Sequence, residues 1–591
     1  MPKIKPKRAP FLHPQETEEH PWKFLPAFLL AAFIARAIVA LSGDFVLHPD
    51  EIMQYLEPAR RLVFGSGILY WEYFYGARSW LIPGIVAGVL WLCKIIGLGA
   101  PQYYIPAVKL LFCLISLAIP WGMYVFSRRH WGEKTARCAL VLGAFWYELA
   151  AFAHKPFTEL SATALLICLL AAVAPFARDS SRRRWFLAGL LGALAVAVRL
   201  QYAPPVGLIL LAAFFRAEKT ARLPLCFGFA FGVFAIGVLE ALTWGLDAAI
   251  FHSYYVNLRM NLIVGAARAG ESSILHMPVW LLLAGGGLIL AALFGVFENF
   301  RRRGFVFALL LLILLPHMLQ NHREYRFIFA LIPLWLLLFA DFTAVRAGGG
   351  GVFARRLGGA LLSAAALVSL AGIFNQIPFQ ERIYRGFSLE SGQTNFLFNQ
   401  DPAFEIYRLL AKDESARGVA DFTRPYFNTG GYYYLGKNIP FYDSSAWTAL
   451  VEGEDAPAHA SHIITAAAAP NGGRIISSKD RAGRYVPNVA TSRGYFPPPV
   501  FVHDLTQNAL VYWDKIGRRH PQPEYENAGQ FGALSLWKTK TPLPVRDWEG
   551  YTISSVRVLQ DIDFERRMLK KIIGRAPPVP SAPYGIEFKD E

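Results

Sequence analysis

The chain has 591 residues, of which 54% are hydrophobic and 14% aromatic, and its mean hydropathy is +0.32. This composition is typical of a membrane protein with many spanning segments and an attached soluble domain, and it excludes an ordinary soluble globular protein. The net charge of +16 does not indicate nucleic-acid binding, because the Lys and Arg clusters lie between apolar runs, where cytoplasmic loops carry them.

The first apolar run, Phe24 to Leu41, is long enough to cross a bilayer, whose core needs about 17–25 apolar residues. Only Arg36 interrupts it. The preceding stretch, Met1 to Arg8, carries four Lys or Arg residues and no acid, so this end is expected on the cytoplasmic side. The stretch after the run, Val46 to Gln54, is therefore expected on the far side, at the membrane surface.

That stretch contains His48, Asp50 and Glu51. Two adjacent carboxylates beside a histidine, so close to lipid, are unfavourable unless they are paired or used. The alternative is a solvated loop that happens to be acidic. The motif alone leaves both interpretations open.

Further apolar runs follow, separated by polar loops. They lie at about 78–97, 104–126, 136–153, 158–176, 185–199, 203–215, 223–241, 278–297, 305–319, 327–341 and 358–376. Three runs precede Arg128, namely Phe24 to Leu41, 78–97 and 104–126. If the arginine-rich loops are cytoplasmic, one of these three runs must fail to cross, because otherwise Arg128 would lie outside. The run at 78–97, which opens with Arg78 and contains Pro83 and several glycines, is predicted to be re-entrant or interfacial. This leaves about eleven crossings, with the chain from Ile377 outside.

With this topology, the outer loops mix acids, histidines and arginines, whereas the cytoplasmic loops carry mostly plain basic clusters. The outer loops hold His48, Asp50, Glu51, Glu57, Arg60, Arg61, Glu72, Arg78, the segment His154 to Glu159, Arg199 and the segment Asn321 to Arg326. Ionisable residues gathered at one face of a membrane domain favour a single outward-facing polar cavity.

The residue types in these loops suit the transfer of a group that a phosphate carries. A carboxylate beside a histidine can accept a hydroxyl proton, and arginines offer a planar fork to a phosphate. Because no nucleotides are at hand on the outer side, the activated donor is expected to lie in the membrane already, and a sugar on a polyprenyl phosphate meets this requirement. These loops contain no D-x-D metal motif and no glycine-rich phosphate loop, so we expect no metal and no cofactor.

Four stretches resemble the motifs of glycosyltransferase family 22, the lipid-linked mannosyltransferases of the N-glycan and GPI-anchor pathways. They are His48-Pro49-Asp50-Glu51 with Gln54, Trp71-Glu72-Tyr73 followed by Arg78-Ser79-Trp80-Leu81-Ile82-Pro83, His154 to Glu159, and Asn321 to Ile328. The resemblance covers roughly residues 24–345. In the third stretch, His154-Lys155 replaces the family's arginine-containing start, and Thr158-Glu159 lacks the residue that the family places between them.

The resemblance implies the type-C glycosyltransferase fold, a mainly α polytopic membrane protein of about 11–12 membrane segments. The catalytic first outer loop would lie at about 43–77. The resemblance also implies inverting transfer of mannose from a polyprenyl-phosphate sugar donor to a glycan or glycolipid acceptor, without a covalent enzyme intermediate. Membrane lipid, this donor and this acceptor are therefore the expected partners.

The resemblance also implies roles for single residues. Asp50 is the expected general base, and Glu51 is its substitute or orients the acceptor. His48 and Gln54 are expected to hold the loop or bind the sugar. The candidates for binding the substrate, mostly at the donor phosphate, are Arg78, Glu159, Arg199, His322, Arg323 and Arg326. Simpler interpretations remain for Arg78 and Arg199, which can anchor or snorkel at the headgroups, and for Glu159, which suits a helix N-terminus.

The chain from Ile377 to Glu591 is predicted to form an extracytoplasmic soluble domain of mixed α/β structure. Its strand candidates are Val500 to His503 and Ala509 to Trp513, and its helix candidates are Asp401 to Lys412 and Asp561 to Ile573. We expect this domain to lie over the cavity and to contribute to acceptor choice. A purely structural cap is the alternative.

Two classes of function remain open on the sequence alone. A transferase gathers its ionisable residues at one face, whereas a transporter or flippase of lipid-linked sugars is expected to show internal repeats and charges along a path. No such repeat is visible. All five cysteines precede residue 227, and the missing disulfides favour a bacterial plasma membrane with the active site outside. The endoplasmic reticulum membrane, with a luminal site, is the alternative.

Overall fold

The structure is a computed structural model, and it describes the chain in a series of ranges. These are residues 22–65, 67, 71–74, 76–174, 181–245, 250–259, 273–320, 323–349, 351–378, 396–421, 423, 430–439, 441–443, 460–466, 478–479, 485–486, 525–532 and 534–543. Several predicted features lie outside them, namely His322, the strands at Val500 to His503 and Ala509 to Trp513, and the helix at Asp561 to Ile573.

The described part of the chain is mostly helical, because a backbone in lipid must pair its polar groups within its own segment. The helices of the first half are α1 (Leu25–Leu41), α2 (Glu57–Phe64), α3 (Trp71–Phe74), α4 (Leu81–Ile95), α5 (Pro101–Ser116), α6 (Ala118–His130), α7 (Glu133–Phe145), α8 (Tyr147–Ala151), α9 (Thr158–Val173) and α10 (Arg182–Val198). They are followed by α11 (Ala203–Arg216), α12 (Lys219–Trp244), α13 (His252–Arg259), α14 (His276–Ala284), α15 (Ile289–Glu298), α16 (Phe300–Leu319), α17 (Leu331–Ala347), α18 (Val352–Ile373), α19 (Pro402–Lys412) and α20 (Gly431–Leu435). A π-helix occupies Glu51–Leu56, and short 3-10 turns occupy Leu200–Tyr202 and Tyr325–Ile328.

Several of these helices are long and apolar enough to cross a membrane. Among the described residues they are the joined stretch Pro101–His130, then α12, α16 and α18, with the bent pair of α14 and α15 as a fifth. Shorter apolar stretches are Leu25–Leu41, Leu81–Ile95, Thr158–Val173 and Leu200–Arg216. The chain is therefore a multi-pass membrane protein, as expected. The count of eleven crossings stays a prediction.

Helix α4 covers the run at 78–97 and is continuous, although Pro83 and its glycines suggested a break. Pro83 lies in the first turn of α4, where its missing N–H has no intrahelical partner to lose. The helix has 15 residues, so its length of about 22 Å falls short of the ~30 Å hydrocarbon core. That this run does not fully cross stays a prediction.

The apolar run at 278–297, expected as one segment, bends by 103° between α14 and α15. Gly286 and Gly287 lie at the bend, with φ values of 57° and 78°. Glycine adopts this left-handed backbone without the strain that a Cβ would bring. The three consecutive glycines from Gly285 were the sequence signal for the break.

Arg36, the one charge in the first apolar run, is buried between α1 and α7. It donates to the carbonyl oxygens of Ala144 at 2.6 Å and Gly143 at 3.0 Å. These carbonyls belong to the last turn of α7, where no further N–H of the helix can reach them. Arg36 therefore satisfies a helix end inside the membrane domain.

The C-terminal region carries a small mixed sheet, as expected for an α/β domain. Its strands are β1 (Val419–Asp421), β2 (Phe441–Asp443), β3 (His462–Ala466), β4 (Ser478–Lys479), β5 (Tyr485–Val486), β6 (Tyr525–Phe531) and β7 (Leu534–Thr539). Five strands follow the order β2-β1-β3-β7-β6, while β4 and β5 pair separately. β1 is parallel to β2 and β3, and the other pairs are antiparallel. Helix α19 confirms the prediction at Asp401 to Lys412, and the Asp401 side chain caps it by accepting from the Ala403 N–H.

This region packs directly against the first outer loop. Asp44 pairs with Lys109 of α5 and lies 2.9 Å from Nη1 of Arg408 in α19. The Asp44 carbonyl also accepts from the Asp401 N–H at 2.8 Å. On the other side of the loop, the buried carboxylate of Glu57 accepts from the Tyr433 N–H at 2.5 Å. The C-terminal region and the first outer loop are thus joined at two places.

We expect Asp44→Asn to loosen this junction, because it leaves the ammonium group of Lys109 buried without its carboxylate. Breaking a buried pair in this way costs about 3 kcal/mol. If α19 detaches locally, this loss makes amide exchange in α19 roughly 100-fold faster. Hydrogen exchange of the detergent-solubilised full chain measures this. Glu298→Gln is the matched control, since Glu298 pairs with Arg346 at a more exposed position. Equal exchange in α19 of both variants would contradict the junction.

Candidate active site

The first outer loop enters the site through a π-helix, an uncommon element that is frequent at functional sites. Asp50 immediately precedes the π-helix at its N-cap position, without a capping hydrogen bond from its side chain, and its N–H donates to Nδ1 of His48 at 3.2 Å. The π-helix runs directly into α2, which ends at Gly65 with a φ of 75°. The side chain of Asp50 is therefore placed at the start of a rigid helical segment rather than on a free loop.

A second segment, between α16 and α17, brings its charges to the same place. Nη2 of Arg326 lies 2.6 Å from Oδ2 of Asp50. Nε of Arg326 donates to Glu324, whose Oε2 lies 3.3 Å from Nε2 of His48. Nδ1 of His48 lies 3.5 Å from Oδ1 of Asp50. These four residues close a ring, which we call the acid–arginine ring.

Two further helices extend the ring. Glu159 lies in the first turn of α9, a position that favours a carboxylate. Its Oε1 lies 2.9 Å from Nη1 of Arg199 and 3.5 Å from Nη1 of Arg326. Its Oε2 accepts from the Thr158 hydroxyl at 3.0 Å. Arg199 therefore does more than snorkel, because it shares a buried carboxylate with Arg326.

The planar faces of both arginines are covered by aromatic rings. The guanidinium carbon of Arg326 lies 5.1 Å from the ring centre of Phe327 and 5.6 Å from that of Phe157. That of Arg199 lies 5.2 Å from Phe327. Such cation–π contacts restrict the two guanidinium groups to fixed planes. Their hydrogen-bonding edges then point in set directions, as recognition of a phosphate requires.

The ring sets the ionisation of its own members. Burial raises the pKa of Asp50, but the charges of Arg326 and His48 lower it more, so the pKa lies below its ordinary value. Burial lowers the pKa of Arg326, but Glu324 and Asp50 raise it well above its ordinary value. At neutral pH the site thus holds a carboxylate and a guanidinium cation in direct contact.

Gln54 and Arg78 meet at Glu72, a residue that the sequence placed in the outer loop without a role. Nε2 of Gln54 donates to Oε1 of Glu72 at 3.1 Å, and Nη2 of Arg78 lies 4.0 Å from the same oxygen. The Tyr73 hydroxyl donates to the Gln54 carbonyl at 2.5 Å. Gln54 therefore connects the π-helix to α3, and whether it also binds the sugar stays a prediction.

Glu51, the predicted substitute for Asp50, points elsewhere. Its Oε1 lies 3.1 Å from Nζ of Lys155, and its Oε2 accepts from the Leu47 N–H at 3.2 Å. Lys155 also donates to the Phe45 carbonyl at 2.5 Å. Burial lowers the pKa of Lys155. The negative charge of Glu51 acts in the opposite direction, but burial has the larger effect. Glu51 thus contacts the turn before α9 rather than the acid–arginine ring.

Arg323 and Arg326 also differ, although they are neighbours on one segment. Nε and Nη2 of Arg323 donate to the Met318 carbonyl at 3.0 and 2.8 Å. Met318 lies in the last turn of α16, so Arg323 satisfies a helix end. His322 lies outside the described residues.

Sequence reasoning gave no specific role to Glu324, Lys155, Glu72 or Tyr55. The Tyr55 hydroxyl lies 3.1 Å from Oγ1 of Thr158, which links the π-helix to α9. Glu324, Lys155 and Glu72 each lie inside a motif, and ionisable character beside an apolar run was the signal for them.

In the described ranges, no three His, Cys, Asp or Glu side chains form a metal-binding group. The absence of a resident metal or cofactor stays a prediction.

Comparison with known proteins gives one family and one fold. The model of the Alg9-like mannosyltransferase family matches residues 27–435. GPI mannosyltransferase 3 of Yarrowia lipolytica is 35% identical over 155 residues, which are 25% of this chain and 30% of that protein. Mannosyltransferase APTG1 of Arabidopsis thaliana is 32% identical over 170 residues, which are 28% of this chain and 30% of that protein. The matched part thus spans about 30% of the length of these relatives.

One similar solved structure is that of ArnT from Cupriavidus metallidurans bound to undecaprenyl phosphate. It has a TM-score of 0.52 at 11% identity, and the match covers 88% of this chain and 99% of that chain. The apo state of the same protein gives a TM-score of 0.51. At this identity the likeness shows the fold alone, and it confirms the expected type-C glycosyltransferase fold.

The two adjacent acids should respond differently to neutralisation. Glu51→Gln leaves the ammonium group of Lys155 buried without its carboxylate, so we expect a loss of about 3 kcal/mol in unfolding free energy. Asp50→Asn leaves Arg326 still paired with Glu324 and Glu159, so we expect a loss below about 1.5 kcal/mol. Thermal unfolding of both variants in one detergent compares them directly. A greater loss in Asp50→Asn would contradict these assignments.

Proposed function

The chain belongs to the Alg9-like mannosyltransferase family, and from this premise we propose that it transfers mannose from a polyprenyl-phosphate donor to a glycan or glycolipid hydroxyl. The transfer takes place on the non-cytoplasmic face, inverts the sugar configuration and uses Asp50 as general base. One observation carries this proposal. A carboxylate and an arginine that lie 276 positions apart in sequence meet at 2.6 Å in one outer cluster.

The arginines of the cluster are suited to a phosphate leaving group. Arg326 and Arg199 present fixed guanidinium edges beside Asp50, and Arg78 carries a side chain that is about a third exposed. When the bond between sugar and phosphate breaks, the electron pair stays on the phosphate oxygen. Cations already in place stabilise this developing charge without reorganisation.

The proton path follows from the position of Asp50. The acceptor oxygen attacks the anomeric carbon from the face opposite the phosphate, and its proton passes to the Asp50 carboxylate. Contact with Arg326 lowers the pKa of Asp50 and so weakens it as a base. A donor phosphate that engages Arg326 would relieve this effect, so Asp50 becomes more basic once the donor is bound.

The names of the relatives support a glycolipid acceptor, since one of them is GPI mannosyltransferase 3. Its organism and that of APTG1 are a yeast and a plant. We therefore propose that the chain lies in the endoplasmic reticulum membrane with a luminal site, rather than in the bacterial plasma membrane that the missing disulfides favoured.

The acids and arginines form one cluster rather than a path, so we do not carry the transporter alternative forward.

The junction between the first outer loop and the C-terminal region supports a role of that region at the site. Glu57 of α2 and Tyr433 of α20 are hydrogen-bonded, and the Tyr104 hydroxyl of α5 donates to the Tyr433 carbonyl. The family match also extends through α20. We propose that the described residues 396–421 and 430–435 form one wall of the acceptor site, while the boundary at 376/377 stays a prediction.

We expect Asp50→Asn to lose about 10³-fold in the rate of mannose transfer, because a general base contributes roughly 10²–10⁴. Donor affinity should change little, since the arginines remain. Transfer from radiolabelled polyprenyl-phosphate-mannose to candidate glycolipids, with donor binding measured in parallel, tests this. Glu298→Gln is the control and should transfer at the wild-type rate. Transfer by Asp50→Asn within tenfold of wild type would exclude Asp50 as the base.

Arg326→Gln should move the acid side of the pH–rate profile. In the wild type the pKa of Asp50 lies below its ordinary value of 3.8, so most of this carboxylate is still ionised when the pH has fallen to 3.8. Without Arg326, burial and Glu324 raise the pKa of Asp50, so activity should be lost at a pH at least about one unit higher as the medium is acidified. The pH profile of kcat/KM measures this. Arg326→Lys, which keeps a cation, should lie between the two.

A further inference from the structure

Glu72 lies beside Arg78 but outside the acid–arginine ring. Its side chain is 5% exposed, whereas that of Arg78 is 35% exposed. Oε1 of Glu72 accepts from Gln54 and lies 4.0 Å from Nη2 of Arg78, which is beyond hydrogen-bonding distance. Oε2 is buried, and no hydrogen-bond donor for it exists among the described residues. An ionised carboxylate in this position would be poorly compensated.

The surroundings of Glu72 favour its neutral form. Burial raises the pKa of Glu72 to about 7, with Asp50 adding to the effect and Arg78 opposing it. The other titratable groups that face this pair are Tyr55 and Tyr73. Burial raises the pKa of Tyr55 to about 12 and raises that of Tyr73 well above its ordinary value, so both stay neutral. Glu72 thus changes charge near neutral pH, whereas Tyr55 and Tyr73 do not.

We propose, on the basis of the proposed function, that Glu72 is a positioning residue that must hold a proton for Arg78 to bind the donor phosphate. With Glu72 neutral, the partly exposed side chain of Arg78 can turn toward the phosphate. With Glu72 ionised, the two side chains form an ion pair. The carboxylate then neutralises the arginine and repels the phosphate.

The direction of the pH effect follows. As pH rises through about 7, Glu72 loses its proton and donor affinity falls. A sugar linked through a phosphodiester carries one fixed negative charge in this range, so the donor itself does not titrate. If only the protonated form of Glu72 binds, the dissociation constant increases about tenfold between pH 6 and pH 8.

The test measures binding of short-chain polyprenyl-phosphate-mannose to the full chain in detergent at several pH values. We expect the wild-type dissociation constant to increase about tenfold from pH 6 to pH 8. Glu72→Gln mimics the protonated carboxyl group permanently, so its dissociation constant should change less than about twofold over the same range. Glu298→Gln should follow the wild type, because Glu298 is the last residue of α15 and pairs with Arg346 of α17.

A second variant tests the proposal without altering Glu72. Gln54→Met removes the hydrogen bond that stabilises the ionised carboxylate, so binding should weaken at a higher pH than in the wild type. A wild-type affinity that is constant with pH, or a tenfold pH dependence that persists in Glu72→Gln, would overturn the role of Glu72. Donor that fails to bind the wild type at every pH would instead overturn the proposed function, and the role of Glu72 with it.

Discussion

Buried charges on the outer side of the membrane domain need partners of opposite sign, and this requirement determines how the loops come together. Removing one member of a buried pair costs about 3–5 kcal/mol, a large part of the roughly 5–15 kcal/mol that stabilises a folded domain. Asp50 meets Arg326, and Glu159 meets both Arg326 and Arg199. The first outer loop, α9, α10 and the segment before α17 are therefore held in one arrangement by the same few charges.

The same pairing bears on catalysis. Arg326 is shared by Asp50, Glu324 and Glu159 before any substrate is present. On the proposed function, a donor phosphate is a further anion beside this arginine, and its negative charge offsets part of the effect of Arg326 on the carboxylates. This couples donor binding to the basicity of Asp50.

The sequence predicted the cluster better than the directions of its side chains. Charge type and position relative to the apolar runs were enough to predict that Asp50, Arg199 and Arg326 lie at the same, outer face of the membrane domain. They could not separate Asp50 from Glu51, because adjacent residues at the start of a helix point about 100° apart, and only tertiary packing decides which one meets Lys155. Nor could they indicate that Arg323 donates to the last turn of α16, and its role at the substrate stays a prediction. The junction of Asp44 with Arg408 joins segments far apart in sequence, and no local pattern could indicate it.

An ionisable residue inside a membrane domain suggests function by default, and the structure shows how to refine this expectation. Arg36 and Asp341 are both fully buried. Arg36 binds the end of α7, while Asp341 accepts from Arg302, Arg303 and Thr135, so the polar contacts of each are directed to the protein itself. Both Arg36 and Glu72 keep one buried polar atom without a partner among the described residues, so an unpaired atom alone does not separate them. Glu72 differs because the cation beside it, Arg78, is a third exposed. An incompletely compensated charge that is also within reach of the outside can be compensated by a substrate, and this criterion distinguishes the outer cluster from the structural charges.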